Sequence, residues 1–250
     1  MSRYLIIAFS LFILSCQSDE ASTLNENILS DYISLKAELE QDFLIACAAG
    51  KEGGMHGIAE EPTAIYFYPV EGSTDYRYYE AESIADSINF DKYQRVNLPI
   101  SPVFNGYLQR WNQQSFDGER MAIVTYLSEG KIHVSDPIRI KTNPKPTEVS
   151  STLVNIEVEQ DSVHFQWQDG IIDENVIYFQ VVSDTQGNLI SGTYTYDRSW
   201  TFYDTSNVVL NITTDENPML TSGEEYTFTM MAVSDDNWVN LLIQKDFVAK

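Results

Sequence analysis

From Thr63 onward the chain consists of short runs rich in β-branched and aromatic residues, each closed by a turn signal. No other feature constrains the fold as much. Thr63-Ala64-Ile65-Tyr66-Phe67-Tyr68 stops at Pro69. Tyr76 to Ala81, Tyr93 to Leu98, Gly106 to Trp111, Arg120 to Leu127 and Lys131 to Ile140 follow it. Glu71-Gly72-Ser73, Pro99 with Pro102, Phe116-Asp117-Gly118 and Ser128-Glu129-Gly130 separate them. Runs of this length and composition, bounded by Gly, Pro, Asp and Ser, read as strands. Several in succession predict a β-sandwich over residues 62–142. Thr142-Asn143-Pro144-Lys145-Pro146-Thr147 then marks a boundary. Two prolines one residue apart hold the chain extended and cannot sit inside a central strand. A second sandwich is predicted over 143–250, held to the first at a restricted angle.

Ahead of the strands the period is helical. Thr23-Leu24-Asn25-Glu26 fits a capping box. Leu24, Ile28, Tyr32, Leu35, Leu39 and Phe43 recur every three or four residues and form one stripe. Gly50 suits the position just past a helix end. The spacing predicts one amphipathic helix over Thr23 to Ala49, packed on its own domain or serving as a stalk. Lys51 to Glu61, with Gly53-Gly54 and Gly57, predicts a loop.

The second predicted sandwich carries a family resemblance. Val163-His164-Phe165-Gln166-Trp167 alternates, with Val163, Phe165 and Trp167 on one face. The run Leu220-Thr221-Ser222-Gly223-Glu224-Glu225-Tyr226, continuing to Ser234, resembles the entry into strand F of fibronectin type III domains. The resemblance covers Pro146 to Lys250. It implies that Tyr226 is a tyrosine-corner residue bonded back to the backbone, and that Trp167 is the core Trp of strand B. Ile171 to Asn175 and Tyr194 to Pro218 depart from a compact type III domain. The expected fold class is mainly β: two immunoglobulin/fibronectin III-like sandwiches preceded by one amphipathic helix.

The first twenty residues bear on location. Arg3 precedes an apolar run from Tyr4 to Leu14. Eleven residues, roughly 17 Å as a helix, are too short for a hydrocarbon core of about 30 Å, but fit the apolar part of a signal peptide. Ile13-Leu14-Ser15-Cys16 resembles a bacterial lipobox. The resemblance implies cleavage after residue 15 and lipid on Cys16, so that residues 1–15 are a signal peptide and 16–61 a lipidated tether, helix and loop. Cys16-Gln17-Ser18-Asp19-Glu20 resembles the acidic export tag of surface-exposed lipoproteins of Bacteroidota-type bacteria. The whole chain is similar to flavobacterial lipoproteins with a signal, a helix and two such sandwiches. The resemblance implies an outer-membrane protein, its membrane partner engaged through the N-terminal lipid, facing the cell surface or, where the acidic residues are only a solvated tether, the periplasm.

Charge narrows the partners. The net charge is −22 over 250 residues. Such a field repels phosphate backbones and anionic membrane surfaces, which excludes nucleic acid and leaves lipid as the means of attachment. Cys47, in an apolar setting, reads as a buried inert thiol, because a reactive thiolate needs a basic neighbour. His56, His133 and His164 have no metal-type spacing. Glu60-Glu61, Asp173-Glu174, Glu224-Glu225 and Asp235-Asp236 are adjacent carboxylates, which point to opposite faces in a strand. Asp235-Asp236-Asn237 and Asp173-Glu174 could offer oxygen ligands to calcium, and otherwise read as solvated turns. Trp111, Trp200, Trp238, Tyr194, Tyr196 and Tyr203 could stack on sugars or anchor a protein, or fill the sandwich cores.

No cofactor and no catalytic or metal-binding set is expected. The expectation is a non-catalytic binding, adhesion or assembly module with a protein or glycan ligand. One alternative is a glycan-binding accessory subunit of an outer-membrane uptake system. A glycoside hydrolase or other hydrolase is the other.

Overall fold

The computed structural model describes residues 24–50, 63–113, 118–160 and 162–250. Along the first half run α1 (Leu29–Leu35), β1 (Glu40–Leu44), β2 (Ala46–Gly50), β3 (Thr63–Phe67), β4 (Thr74–Ala81) and β5 (Gln94–Arg95). They are followed by β6 (Ile100–Val103), β7 (Leu108–Gln113), β8 (Arg120–Ser128), β9 (Lys131–Ser135) and β10 (Ile138–Ile140). Beyond the proline-flanked segment come β11 (Glu148–Ser150), β12 (Val154–Val158), β13 (Val163–Trp167), β14 (Asn175–Asp184) and β15 (Leu189–Thr195). Then follow β16 (Ser199–Phe202), β17 (Val208–Asn211), β18 (Glu225–Ser234) and β19 (Trp238–Val248).

The chain is mainly β and its strands form sandwiches. One sheet has the order β1-β9-β8-β4-β5, with β10 beside β8. A three-stranded sheet has the order β12-β13-β16. Between them a single long sheet runs β17-β15-β14-β18-β19-β2-β3-β7-β6. It serves both halves of the molecule and is joined in the middle by a parallel pairing of Trp238 with Ala48 and Val239 with Ala49.

Four apolar clusters arrange these sheets in layers. Val163, Phe165, Trp167 and Trp200 pack against Tyr178, Phe228, Met230 and Leu241, which closes the C-terminal sandwich. Tyr78, Val124 and Tyr126 pack against Ala46, Ile65, Phe67 and Trp111, which closes the N-terminal one. On the outer face of the first sheet, Tyr79, Ile123 and Val134 receive Leu29 and Tyr32 of α1. The fourth cluster brings together the remaining faces of the long sheet. Ala64, Tyr66 and Leu108 from one half meet Phe179, Tyr194, Met231 and Val233 from the other. The long sheet therefore curls on itself, and its middle strands are apolar on both sides. A strand buried on both faces reads as a continuous apolar run; β3 (TAIYF) is buried at every position.

The helix predicted over Thr23 to Ala49 is corrected. Only Leu29–Leu35 is helical, and Glu40–Gly50 forms two strands. Leu24, Leu35 and Phe43, three members of the predicted stripe, are exposed. Thr23 of the expected capping box lies outside the described residues, and Glu26 pairs with Arg77 at 2.9 Å. The physical reason is tertiary demand. β2 supplies ladder partners to β3 on one side and β19 on the other, and β1 runs parallel to β9. Its alanines fit because both faces of β2 are crowded. An apolar run buried on both faces cannot be told from a buried helix by period alone.

The fibronectin resemblance is matched in detail at Tyr226. The Thr221 N–H donates to the Tyr226 hydroxyl at 2.8 Å, tying the entry of β18 to the preceding turn. Trp167 is buried in the C-terminal core beside Tyr178 and Phe228.

Polar bonds stitch the seam between the halves. The Gly50 N–H donates to Thr147 Oγ1 at 2.7 Å, and that hydroxyl donates to Val239 O at 2.7 Å. The Trp238 indole N–H donates to Lys145 O at 2.9 Å. Thr63 and Thr142 hydroxyls are bonded to each other. The segment around the two prolines is thus held against both sandwiches.

Candidate functional site

The clearest recess at this seam lies between two turns, one from each half. In the β6–β7 turn, Phe104, Asn105 and Gly106 all have left-handed backbone, with φ of 49°, 52° and 95°. Three such residues in a row reverse the chain sharply and carry Asn105 outward, where its Nδ2 donates to Asn188 Oδ1 of the opposite turn. The β14–β15 turn is set by Asp184. Its Oδ1 accepts the N–H groups of Gln186 (2.9 Å) and Asn188 (2.8 Å), the Asx pattern that mimics a backbone turn. Burial alone would raise the Asp184 carboxyl, but bonds from Asn188, Gln186 and Gly187 hold it below its usual value.

Between these turns is a cleft of about 260 Å³, lined by Pro102, Phe104, Asn105, Arg110, Thr185 and Gln186 among others. Arg110 is its unusual member. It sits in β7 between Tyr66 of β3 and Ser101 of β6, and only 3% of it is exposed. Its Nη2 donates to Ser101 Oγ at 3.2 Å. Its Nε and Nη1 have no acceptor among the described residues, so three of the five guanidinium N–H bonds are unanswered. Asn112, two positions along the same strand and so on the same face, likewise has its buried Oδ1 without a donor.

The residues singled out in the sequence go elsewhere. Cys16 lies outside the described residues, as do His56 and Glu60-Glu61. Asp236 is a clasp: its carboxylate accepts from Lys141 Nζ at 2.7 and 2.9 Å and from Ser234 Oγ at 2.6 Å. Its carbonyl accepts the Arg139 N–H at 2.9 Å. Asn237, at φ 60°, has a carbonyl that accepts the Ala48 N–H at 3.0 Å and an Nδ2 that donates to Pro137 O. Glu174 pairs with Lys145 at 2.8 Å. Among the described residues no three His, Cys, Asp or Glu side chains come together as a metal site.

His133 is buried and stacked on Tyr126, and His164 meets Thr201 Oγ1 at 2.9 Å. The Cys47 thiol sits among Tyr66, Phe179, Tyr194 and Met231, and burial pushes it up to about 12. Trp111, Trp200, Trp238 and Tyr194 fill cores, whereas Tyr196 is exposed. Tyr203 is half-buried and edge-on to Trp200, so these rings do not form a coplanar exposed platform. Arg110 escaped the sequence reading. The available signal was an arginine at an inward position of an alternating strand, beside Leu108 on the apolar face.

No family model matches the chain, and no curated protein matches it. Among solved structures, it is similar to the FN1–FN3 domains of chicken CNTN1, at 12% identity and a TM-score of 0.30. That alignment covers 85% of this chain and 68% of the other. The fold assignment rests on the sheet order and the cores described above.

Proposed function

We propose that this is a non-catalytic, lipid-anchored binding protein of the cell envelope, held at the outer membrane through Cys16 and facing outward. The observation that supports binding is the seam cleft. It has one cation at its floor and amide, hydroxyl and backbone groups at its rim, and its lining contains no carboxylate, histidine, cysteine or lysine. Recognition needs complementary groups alone. Catalysis needs, in addition, a group placed to attack or to move a proton. The anchor is carried by Ile13-Leu14-Ser15-Cys16. More than one acyl chain on that thiol makes attachment durable, since each buried CH₂ contributes about 0.8 kcal/mol.

Detergent phase partition of the native protein tests the anchor. Wild type enters the detergent phase with Cys16 acylated and residues 1–15 removed, and Cys16→Ala stays in the aqueous phase. Recovery of uncut, unlipidated wild type in the aqueous phase overturns it. A glycan array probed with the full chain, alongside capture on whole cells, tests binding. Silence in both, or turnover of a bound glycan, overturns the non-catalytic binding reading.

A further inference from the structure

We infer that the seam cleft is a carboxylate receptor, with Arg110 as its recognition group and a hexuronate-sized sugar acid as its ligand class. This rests on the binding reading above and gives it a chemistry. A buried arginine with unanswered guanidinium N–H groups destabilises a fold unless an acceptor arrives. No described carboxylate pairs with it; the ten ion pairs among the described residues use other cations. The buried Arg77, by contrast, is met by Asp75 and Glu26. In a chain with 37 acidic residues, the lack of a described partner at Arg110 leaves the position open to an external anion.

Guanidinium geometry matches a planar carboxylate, which can accept two parallel N–H bonds. The rest of the lining sets the ligand's size and polarity. Asn105, Thr185 and Gln186 offer amide and hydroxyl groups suited to sugar hydroxyls, while Pro102 and Phe104 supply an apolar wall. A cleft of about 260 Å³ holds a single ring and not an extended chain. The two turns belong to different halves, so a bound ring touches both and bridges the seam beside the Asn105–Asn188 bond.

Calorimetric titration of the full chain with sodium galacturonate, galactose, acetate and trigalacturonate tests this, with melting temperatures recorded alongside. Galacturonate is expected to bind with a Kd on the order of 1 mM, at least about tenfold tighter than galactose or acetate. Arg110→Met is expected to lose that binding while melting at the same or a higher temperature without ligand, because it removes an uncompensated charge. Arg110→Lys keeps the charge but loses the fork, and weakens binding severalfold. If trigalacturonate binds at least as tightly as the monomer, the ligand is a polymer-borne uronate; if only the monomer binds, it is a free sugar acid.

Equal affinity for galactose and galacturonate overturns the inference. So does galacturonate binding that survives Arg110→Met, or an Arg110→Met protein that melts lower while the wild type shows no response to galacturonate. Silence toward galacturonate, with array binding unaffected by Arg110→Met, overturns the receptor and leaves the broader binding reading standing. Silence everywhere overturns both.

Discussion

Two buried arginines show how the same residue type does opposite work. Arg77 lies 4.0 Å over the Tyr32 ring and pairs with Asp75 and Glu26, each at 2.9 Å. It fixes α1 to the first sheet, and the desolvated cation–ring contact alone contributes about 1–2 kcal/mol. Arg77→Met is expected to lower stability by about 3 kcal/mol in urea unfolding, because Asp75 loses its cation. Arg110→Met, with no described carboxylate to orphan, is not expected to follow. Asp236 gives a pH signature. Burial alone would raise its carboxyl, but hydrogen bonds from Lys141 and Ser234, with the charges of Lys141 and Arg139, hold it below the usual carboxylate range. The folded group thus titrates below the unfolded one. Its contribution is complete above about pH 4 and is lost as pH falls through the depressed value. Asp236→Asn is expected to cost about 3 kcal/mol at pH 7, since Lys141 is only 4% exposed and loses its counter-charge. The variant's stability is also expected to fall less steeply between pH 5 and pH 2, measured by urea unfolding at each pH.

At the scale of the element, Gly50 decides where two backbones meet. A Cβ there would lie 2.9 Å from the Thr147 nitrogen and 3.3 Å from the Trp238 ring. Gly50→Ala is expected to cost about 1–3 kcal/mol through overpacking of the seam, read as a lower urea midpoint with an unchanged slope. Gly50 reads as a helix terminator only while Thr23 to Ala49 is taken as a helix. The sequence shows which residues are apolar but not that two sheet edges compete for their backbone groups. Strands with turn signals on both sides were legible. Thr63 to Tyr68 is realised as Thr63–Phe67, Tyr76 to Ala81 as Thr74–Ala81, and Arg120 to Leu127 as Arg120–Ser128. Lys131 to Ile140 is broken at Asp136-Pro137, where proline cannot continue the ladder. The cleft was illegible because its two turns lie some 80 residues apart in the chain and meet only when the long sheet curls.

At the scale of the molecule, the shared sheet and the cluster that joins the halves predict that the two sandwiches unfold as one body. Phe179 stacks on Tyr194 at 4.4 Å in the cluster that joins the halves. Phe179→Ala is expected to cost about 3–5 kcal/mol and to shift the unfolding of both halves together. Calorimetry is expected to show one transition with equal calorimetric and van't Hoff enthalpies. Two transitions, only one of them moved by the substitution, would show instead that the halves melt separately. The parallel pairing of Ala48 with Trp238 has a kinetic corollary. Ala48 must wait for Trp238, made much later, before it gains a neighbour on that side, and contacts so distant along a chain form slowly. The long sheet therefore closes only after β19 has been made.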